Sequence, residues 1–295
     1  MAILETSDVG KRYGRRRWAL RHVDLAVPDG SITALVGPNG SGKSTLLKAW
    51  VGFERPSEGR VIVDGIDPWR QRGPALLRIG YVPQAPSLYR ELTVSEHISL
   101  VRTLRVGFDA DLARRRLADL AIPLTSRADE LSGGQQAQVG LALALGTRAP
   151  VLLLDEPLAS LDPLARREFL HVLVAAVRAD GVTALLSSHV ITDIEQACDR
   201  LLVLGGGQTI LDLSIAGAIA EHRVLEAGAE AGSAAVVGTF PGADGERLAL
   251  VRGSDGVGRP ATLEEVVLGH LAASRVATAG LGPGLPNQRP GERAA

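Results

Sequence analysis

The amino-acid sequence predicts an α/β fold with a largely parallel sheet core, an N-terminal antiparallel β subdomain, a helical insertion and a small C-terminal accessory region. Up to about residue 84, short β-branched or leucine-rich runs are separated by turns such as Pro28-Asp29-Gly30. Between about 86 and 130, apolar residues recur at helical intervals with arginines on the other face. After residue 150, strand-like and helix-like segments alternate, which is typical of a parallel sheet covered by helices on both faces.

The individual elements follow from these patterns and from local capping signals. Predicted strands cover residues 3–6, 20–27, 31–36, 60–63, 151–154 and 183–187. Predicted helices cover residues 96–104, 109–121, 132–145, 163–179 and 191–198. Farther on, we expect two strands at 234–240 and 247–251, and a helix from Thr262 to about Ala273. The tail 279–295 is rich in glycine and proline and is predicted to be disordered.

Composition limits the classes of function. Lys and Arg number 32 against 33 Asp and Glu, a net charge of −1 that argues against broad electrostatic binding of nucleic acid. The single cysteine, Cys198, cannot form an internal disulfide, and we expect it to be a small core residue. Residues 1–5 do not resemble a secretory signal, and the apolar runs are too short to span a bilayer. We therefore expect a cytoplasmic chain whose membrane role, if any, runs through another polypeptide.

Residues 37–45 read G-P-N-G-S-G-K-S-T between a predicted strand and a predicted helix, which is the pattern of a phosphate-binding P-loop. Its glycines allow backbone N–H groups to approach phosphate oxygens, and the helix N-terminus adds partial positive charge. Lys43 supplies a cation, and Ser44 supplies a hydroxyl for Mg²⁺. The pattern is too complete for a mere glycine-rich turn, so it predicts that the chain binds a nucleoside triphosphate. The predicted phosphate-binding residues are Gly37, Pro38, Asn39, Gly40, Ser41, Gly42, Lys43, Ser44 and Thr45.

Two acids end the apolar segment 151–154 and are followed by Pro157. A buried strand of a parallel sheet would place Asp155 at the carboxyl edge beside the P-loop, where it can hold Mg²⁺. Glu156 would project towards the terminal phosphate as a general base. Two solvated acids at a strand end are the simpler alternative, but the P-loop in the same chain favours the catalytic interpretation.

The segment Leu131-Ser132-Gly133-Gly134-Gln135 has the form of a capping box, with Ser132 as N-cap and Gln135 three residues later. Capping does not account for two glycines in the first turn, each of which weakens a helix by about 1 kcal/mol relative to alanine. They would serve a helix N-terminus that lies against an anion.

The P-loop, L-S-G-G-Q and D-E-P motifs, in this order, resemble those of the nucleotide-binding subunit of the ATP-binding cassette (ABC) family over residues 3–220. The resemblance implies a P-loop NTPase fold that hydrolyses ATP with Mg²⁺. It further implies a head-to-tail dimer with two ATP molecules clamped between the P-loop of one copy and the L-S-G-G-Q segment of the other. The implied residues of that second half are Ser132, Gly133, Gly134, Gln135 and, in the loop crossing between subunits (Ser160 to Pro163), Asp162.

The resemblance also assigns Tyr13, Gln84 and His189. Tyr13 matches the aromatic residue that stacks on adenine, Gln84 matches the glutamine that touches Mg²⁺ or the attacking water, and His189 matches the histidine that contacts the terminal phosphate. Taken alone, each could be an ordinary surface, loop or structural residue. The chain departs from the family after L-S-G-G-Q, where Gln136, Ala137 and Gln138 stand in place of a usual basic residue.

On this interpretation residues 1–222 form the ABC ATPase domain, with a helical insertion at about 86–148, followed by an accessory α+β region at 223–278 and the tail 279–295. The implied partners are a second copy of the chain and a separate transmembrane permease, with no nucleic acid. The chain would lie on the inner face of the membrane through that permease. A single nucleotide domain without fused membrane helices, followed by a short accessory tail that contains residues 261–268, resembles the subgroup that exports drugs, antibiotics or lipids. Three alternatives are an importer-type ATPase, an ABC ATPase acting on ribosomes or DNA, and a P-loop kinase.

Overall fold

A computed structural model describes residues 2–14, 17–84, 88–159, 161–253 and 257–280. The chain divides into two compact units, Met1–Ala218 and Ile219–Ala295. The helices are α1 (Lys43–Val51), α2 (Arg72–Leu76), α3 (Val94–Leu104), α4 (Ala110–Asp119), α5 (Gly133–Gly146), α6 (Pro163–Asp180), α7 (Ile191–Ala197), α8 (Ile215–Glu221) and α9 (Leu263–Gly280). The strands are β1 (Ala2–Tyr13), β2 (Arg17–Pro28), β3 (Ile32–Val36), β4 (Glu58–Val63), β5 (Ile79–Val82), β6 (Val151–Asp155), β7 (Thr183–Ser187), β8 (Arg200–Gly205), β9 (Gln208–Ser214), β10 (His222–Glu226), β11 (Ala235–Pro241), β12 (Arg247–Arg252) and β13 (Arg259–Pro260).

The first unit is built on a six-stranded sheet in the order β5-β6-β7-β3-β8-β9, parallel except for the antiparallel pair β8–β9. Every residue of β3, β6 and β7 is buried. Because alternate residues of a strand face opposite sides, Leu153 packs into one apolar core while Leu152 and Leu154 pack into another. The predicted fold class is therefore confirmed.

The N-terminal sheet is antiparallel, in the order β2-β1-β4. Its strands are longer than the predicted segments 3–6 and 20–27, because polar residues on the outer face break the leucine-rich pattern while the backbone pairing continues. The pairing brings Arg17 opposite Tyr13 and Trp18 opposite Arg12.

The insertion forms its own small core between α3, α4 and α5, around Ile98, Leu117 and Val139. Asp109 caps α4 by accepting a hydrogen bond from the Leu112 N–H at 2.8 Å. The predicted helices 96–104 and 109–121 are both present, with the second ending two residues earlier at Asp119.

The second unit carries a four-stranded antiparallel sheet in the order β11-β12-β10-β13, with α9 packed on it. The sequence signalled β11 and β12 but not the short strands β10 and β13. Helix α9 also extends beyond the predicted end at Ala273, so residues 279 and 280 are helical, contrary to the expectation of a disordered tail. The remainder of that predicted tail, 281–295, lies outside the described residues.

Other expectations concern membranes and the cysteine. Among the helices in the described part of the chain, none is both long and apolar enough to cross a bilayer. Cys198 follows α7 and packs against the core that contains Leu152. Burial, and then the neighbouring Asp199 and Asp193, raise the pKa of Cys198 to about 12, so the thiol stays protonated.

Candidate active site

The loop between β3 and α1 has the backbone form that its glycines predict. Gly42 precedes α1 with φ of 106°, and a Cβ there would lie 2.5 Å from Leu20 Cδ2. A Cβ on Gly37 would lie 2.4 Å from the Leu204 carbonyl oxygen. Side chains at these two positions would push the loop away from β2 and β8, so the bare backbone is a packing requirement.

Lys43 is drawn into the interior of this loop. Its side chain is 5% exposed, and Nζ lies 3.2 Å from Glu156 Oε1. The same ammonium donates to the Gly37 carbonyl at 2.8 Å and to the Pro38 carbonyl at 3.4 Å. The loop therefore holds one buried cation over the helix N-terminus, where a phosphate group would be most strongly attracted.

Ser44 and Asp155 place two oxygen donors side by side. The Ser44 hydroxyl donates to Asp155 Oδ1 at 3.0 Å. Adjacent ligands of an octahedral Mg²⁺, each about 2.1 Å from the metal, are separated by about 3.0 Å. The spacing of the hydroxyl and carboxylate oxygens therefore fits two neighbouring ligands of a magnesium ion. The described residues contain no group of three or more histidine, cysteine or acidic side chains that could hold a metal ion.

Glu156 is the most constrained residue of the site. Its backbone has φ of 46°, in the left-handed region that non-glycine residues seldom occupy. Its carboxylate is 10% exposed and has His189 Nδ1 3.3 Å from Oε2, in addition to Lys43 at Oε1.

Nearby, burial and then the Asp155 charge raise the pKa of Tyr81 to about 12, which keeps the phenol neutral.

Lys43, Ser44 and Glu156 line one cleft of about 690 Å³, within the range of small-molecule sites, whereas Asp155 and His189 do not line it. Tyr13 is 40% exposed, its hydroxyl lies 3.5 Å from Thr45 Oγ1, and the Lys11 ammonium lies 5.1 Å from its ring centroid. The residues lining the cleft are Tyr13, Arg17, Trp18, Ala19, Asn39, Gly40, Gly42, Lys43, Ser44, Thr45, Gln84 and Glu156.

The L-S-G-G-Q segment lies at the start of α5, and its residues do not line this cleft. The predicted capping box is confirmed: the Gln135 N–H donates to Ser132 Oγ at 3.2 Å, and the Ser132 N–H donates to Gln135 Oε1 at 2.9 Å. Gly134 also has a packing reason, because a Cβ there would lie 2.9 Å from Ala165 Cβ on α6. An anion at the helix start is thus not needed to explain that glycine.

Asp162 is the N-cap of α6, as expected from Pro163 at the first helical position. Its Oδ1 accepts from the N–H groups of Leu164 at 2.9 Å and Ala165 at 3.0 Å. Like the start of α5, Asp162 does not line the cleft. Ser160, also predicted to belong to this crossing loop, lies outside the described residues.

Comparisons with known proteins agree with this geometry. A family model described as ABC transporter matches residues 20–159. The phosphonates import ATP-binding protein PhnC of Thiobacillus denitrificans is 34% identical over 72% of this chain and 87% of its own length. The chain belongs to the ABC transporter family. The predicted ABC nucleotide-binding subunit is thereby confirmed, and as an ABC ATPase the chain uses ATP and Mg²⁺.

Other ABC relatives match a similar share of the chain. The sulfate/thiosulfate import protein CysA of Caulobacter vibrioides is 37% identical over 68% of this chain and 61% of its own length. The probable multidrug protein YbhF of Escherichia coli is 36% identical over 70% of this chain but only 36% of its own length. The dimeric structure of the bacterial ABC transporter cassette MJ0796 superimposes with a TM-score of 0.65 at 26% identity, covering 72% of this chain and 98% of that one.

Sequence reasoning missed three residues of the ABC ATPase cleft: Arg17, Trp18 and Ala19. They reach it because β1 and β2 pair in a register that sets Arg17 opposite Tyr13. The one indication in the sequence was that they follow Tyr13 within six positions. The register of the β1–β2 hairpin cannot be predicted from strands whose apolar and polar residues do not alternate regularly. Trp18 also has the Arg12 guanidinium 5.3 Å and the Arg21 guanidinium 5.8 Å from its ring centroid.

Proposed function

We propose that this chain is the ATP-hydrolysing subunit of an importer-type ABC transporter and drives a separate transmembrane permease. The observation that carries the proposal is the convergence of Lys43, Ser44, Asp155 and Glu156 at the head of α1. Import is favoured over the export expected from the sequence, because PhnC and CysA are named as import proteins, as are relatives for methionine and thiamine. Export of a drug, antibiotic or lipid remains the second candidate, supported by the multidrug relative YbhF.

In the proposed reaction, ATP enters the cleft with its base stacked on Tyr13 and its phosphates along the loop from Gly37 to Thr45. A phosphate oxygen replaces Glu156 as the partner of Lys43, because one buried ammonium cannot neutralise both anions. The released carboxylate of Glu156 then accepts a proton from the water that attacks the terminal phosphate. In this proposal His189, whose Nδ1 lies 3.3 Å from the same carboxylate, donates a hydrogen bond to that phosphate.

Magnesium would be held by the Ser44 hydroxyl and the Asp155 carboxylate, whose spacing fits adjacent ligands. Gln84, which lines the same cleft, is the proposed third group, directly or through water. When bound, the ion neutralises charge on the phosphate oxygens.

A second copy supplies the rest of the site. Ser132, Gly133, Gly134, Gln135 and Asp162 bind nucleotide in this proposal, yet they do not line the cleft of their own chain. A head-to-tail dimer would bring them over the ATP bound to the partner, and the related cassette MJ0796 has been solved as a dimer. In this proposal the permease responds to the opening and closing of the pair because it makes different contacts with the two states. The permease would hold the chain at the cytoplasmic face of the membrane.

The proposed ATPase domain covers residues 1–222, and the permease is proposed to dock on the insertion at about 86–148. Residues 223–278 are proposed to form an accessory module.

Purified full-length chain should hydrolyse ATP only with magnesium present, and Lys43→Ala should abolish the activity. Hydrolysis that survives in that variant would contradict the assigned site. Affinity capture of the tagged chain from detergent-solubilised membranes should recover the permease.

Direction can be tested with inside-out membrane vesicles that contain the complex, so that added ATP reaches this chain from outside. An importer should release preloaded labelled sulfate, phosphonate, methionine or thiamine from the lumen when ATP is added. Retention of all four together with ATP-driven accumulation of a drug-like dye would favour the export candidate. Glu156→Gln vesicles are the control, because they bind ATP without turning it over.

A further inference from the structure

We propose that Ser187 is a positioning residue for ATP hydrolysis, and that its hydroxyl fixes the backbone of Glu156 relative to the Asp155 carboxylate. The inference rests on the proposed roles of Glu156 as base and Asp155 as magnesium ligand. Ser187 is the last residue of β7, where the sequence indicated only the end of a buried strand.

The hydroxyl of Ser187 makes two directed hydrogen bonds. It accepts from the Glu156 N–H at 2.7 Å and donates to Asp155 Oδ1 at 3.1 Å. Asp155 lies directly opposite Ser187 in the parallel register of β6 and β7, so the two strands bring these groups together by their pairing. One side chain therefore bridges the two acids that follow each other at the end of β6.

The first bond acts at the point where the backbone departs from regular geometry. Glu156 takes φ of 46°, and this turn aims its carboxylate at Lys43 and His189. A non-glycine residue keeps a left-handed conformation only where its surroundings fix it. A 2.7 Å hydrogen bond to its N–H from a fully buried strand is such a constraint.

The second bond sets which way the hydroxyl points. Asp155 Oδ1 also accepts from the Ser44 hydroxyl at 3.0 Å, so Ser187 and Ser44 hold the same carboxylate oxygen from two sides. With its proton directed at Asp155, the Ser187 oxygen presents a lone pair to the Glu156 N–H. The orientation of the base is thereby tied to the orientation of the metal-binding carboxylate.

The same strand offers a matched control at its other end. Thr183 is also fully buried, and its hydroxyl accepts from the Gly30 N–H at 2.9 Å and donates to Asp29 Oδ1 at 3.0 Å. The hydrogen-bond pattern is that of Ser187, but it serves a turn remote from the acids of the site. Thr183→Val removes this hydroxyl with little change of shape, and so reports what losing such a pair of bonds does to the fold alone.

The test compares steady-state ATP hydrolysis and thermal unfolding of Ser187→Ala and Thr183→Val in the full chain. We expect similar falls in melting temperature, but a fall in kcat of about 10- to 100-fold for Ser187→Ala only, the size typical of a displaced catalytic group. The KM for ATP should stay within about threefold, because the P-loop contacts are unchanged. Ser187→Thr, which keeps the hydroxyl, should recover most of the rate, and Ser187→Cys, which fills the space with a weak partner, should not.

A double-mutant cycle separates positioning from general loss of structure. If Ser187 acts through Glu156, adding Ser187→Ala to Glu156→Gln should lower the residual rate by less than about threefold. Wild-type kcat in both Ser187→Ala and Ser187→Cys would overturn the proposal, as would equal rate losses in Ser187→Ala and Thr183→Val. Failure of the proposed function is distinguishable, because the wild-type chain would then hydrolyse no ATP.

Discussion

Lys43 and His189 both contact the carboxylate of Glu156, so on the proposed mechanism nucleotide binding at Lys43 releases this carboxylate to act as the base. Lys43 and His189 contact different oxygens of this side chain, which is 10% exposed. At an effective dielectric of 20, a charge pair about 4 Å apart interacts by roughly 4 kcal/mol before desolvation. The pairing of Lys43 with Glu156 therefore opposes the pairing of Lys43 with phosphate, and ATP must displace it.

Replacing Glu156 with Gln should remove both the proposed general base and the competitor for Lys43. We expect hydrolysis to fall by about 10²–10⁴-fold, the usual contribution of a general base, while ATP affinity stays the same or increases. The variant should elute as a dimer from a size-exclusion column run with ATP and magnesium. A normal rate of hydrolysis would show that another group is the base.

Tyr13 should contribute to nucleotide affinity through its ring rather than its hydroxyl. Tyr13→Ala should weaken ATP binding about tenfold, since stacking of a base on an aromatic side chain contributes about 1–3 kcal/mol. Tyr13→Phe is the control and should bind like the wild type, because the 3.5 Å contact of the hydroxyl with Thr45 is long. Isothermal calorimetry measures the ATP affinity of each variant. Equal affinity in the two variants and the wild type would place the adenine ring elsewhere, for example against Trp18.

The residues of α5 and α6 that are proposed to bind nucleotide lie at the starts of these helices and not along their faces. The start of α5 presents Ser132 with its capping box, and the start of α6 presents Asp162, whereas their apolar sides pack into the core. Helix-capping rules predict both starts from sequence, because the required residues lie within four positions of each other. The contact of Gly134 with Ala165 joins residues 31 positions apart in the sequence, and no local rule predicts it.

Ser132→Arg should block hydrolysis with little loss of ATP affinity, because Ser132 is proposed to act on the nucleotide of the partner copy. The substitution also removes an N-cap, which costs about 1 kcal/mol of stability. Thr93→Ala is the control, since Thr93 heads α3 with the same kind of capping box to Glu96. Both should lower the melting temperature, but only Ser132→Arg should stop turnover; inactive Thr93→Ala would point to a loss of fold instead.

For the molecule as a whole, the sequence predicts the first unit far better than the second. A phosphate-binding site of this kind needs a glycine loop, a lysine and a pair of acids in a fixed order along the chain. In this sequence Lys43 therefore marks the start of α1, and Asp155 marks the end of β6. The second unit has no such motif. Its two-residue strand Arg259–Pro260 and the five-residue strand His222–Glu226 are defined by pairing with distant segments, which periodicity does not reveal.

The second unit should lose stability as the solution becomes acidic. His270 Nε2 lies 3.0 Å from His222 Nε2, and burial, then His222 and Arg252, lower the pKa of His270 to about 4. The unfolded chain takes up this proton near pH 6.5, and the folded chain only near pH 4, so stability falls as the pH drops through this window. We expect a loss of less than about 2 kcal/mol between pH 7.5 and 5, because the His270 ring is partly exposed and solvent screening reduces the full linkage value.

Urea unfolding of the full chain at pH 7.5 and pH 5 measures this dependence. His270→Gln cannot take up the proton and should show a smaller difference between the two pH values, whereas His171→Gln, on α6 of the first unit, should behave like the wild type. An unchanged pH dependence in His270→Gln would show that other groups cause the loss.

The close approach of Gly134 to Ala165 has a mechanical consequence. A Cβ at position 134 would lie 2.9 Å from the Ala165 methyl, so the first turns of α5 and α6 are in direct backbone-to-side-chain contact. We therefore expect Ser132 and Asp162, which lie two residues before Gly134 and three before Ala165, to move together. A displacement that brings one of them to a neighbouring molecule would then bring the other as well.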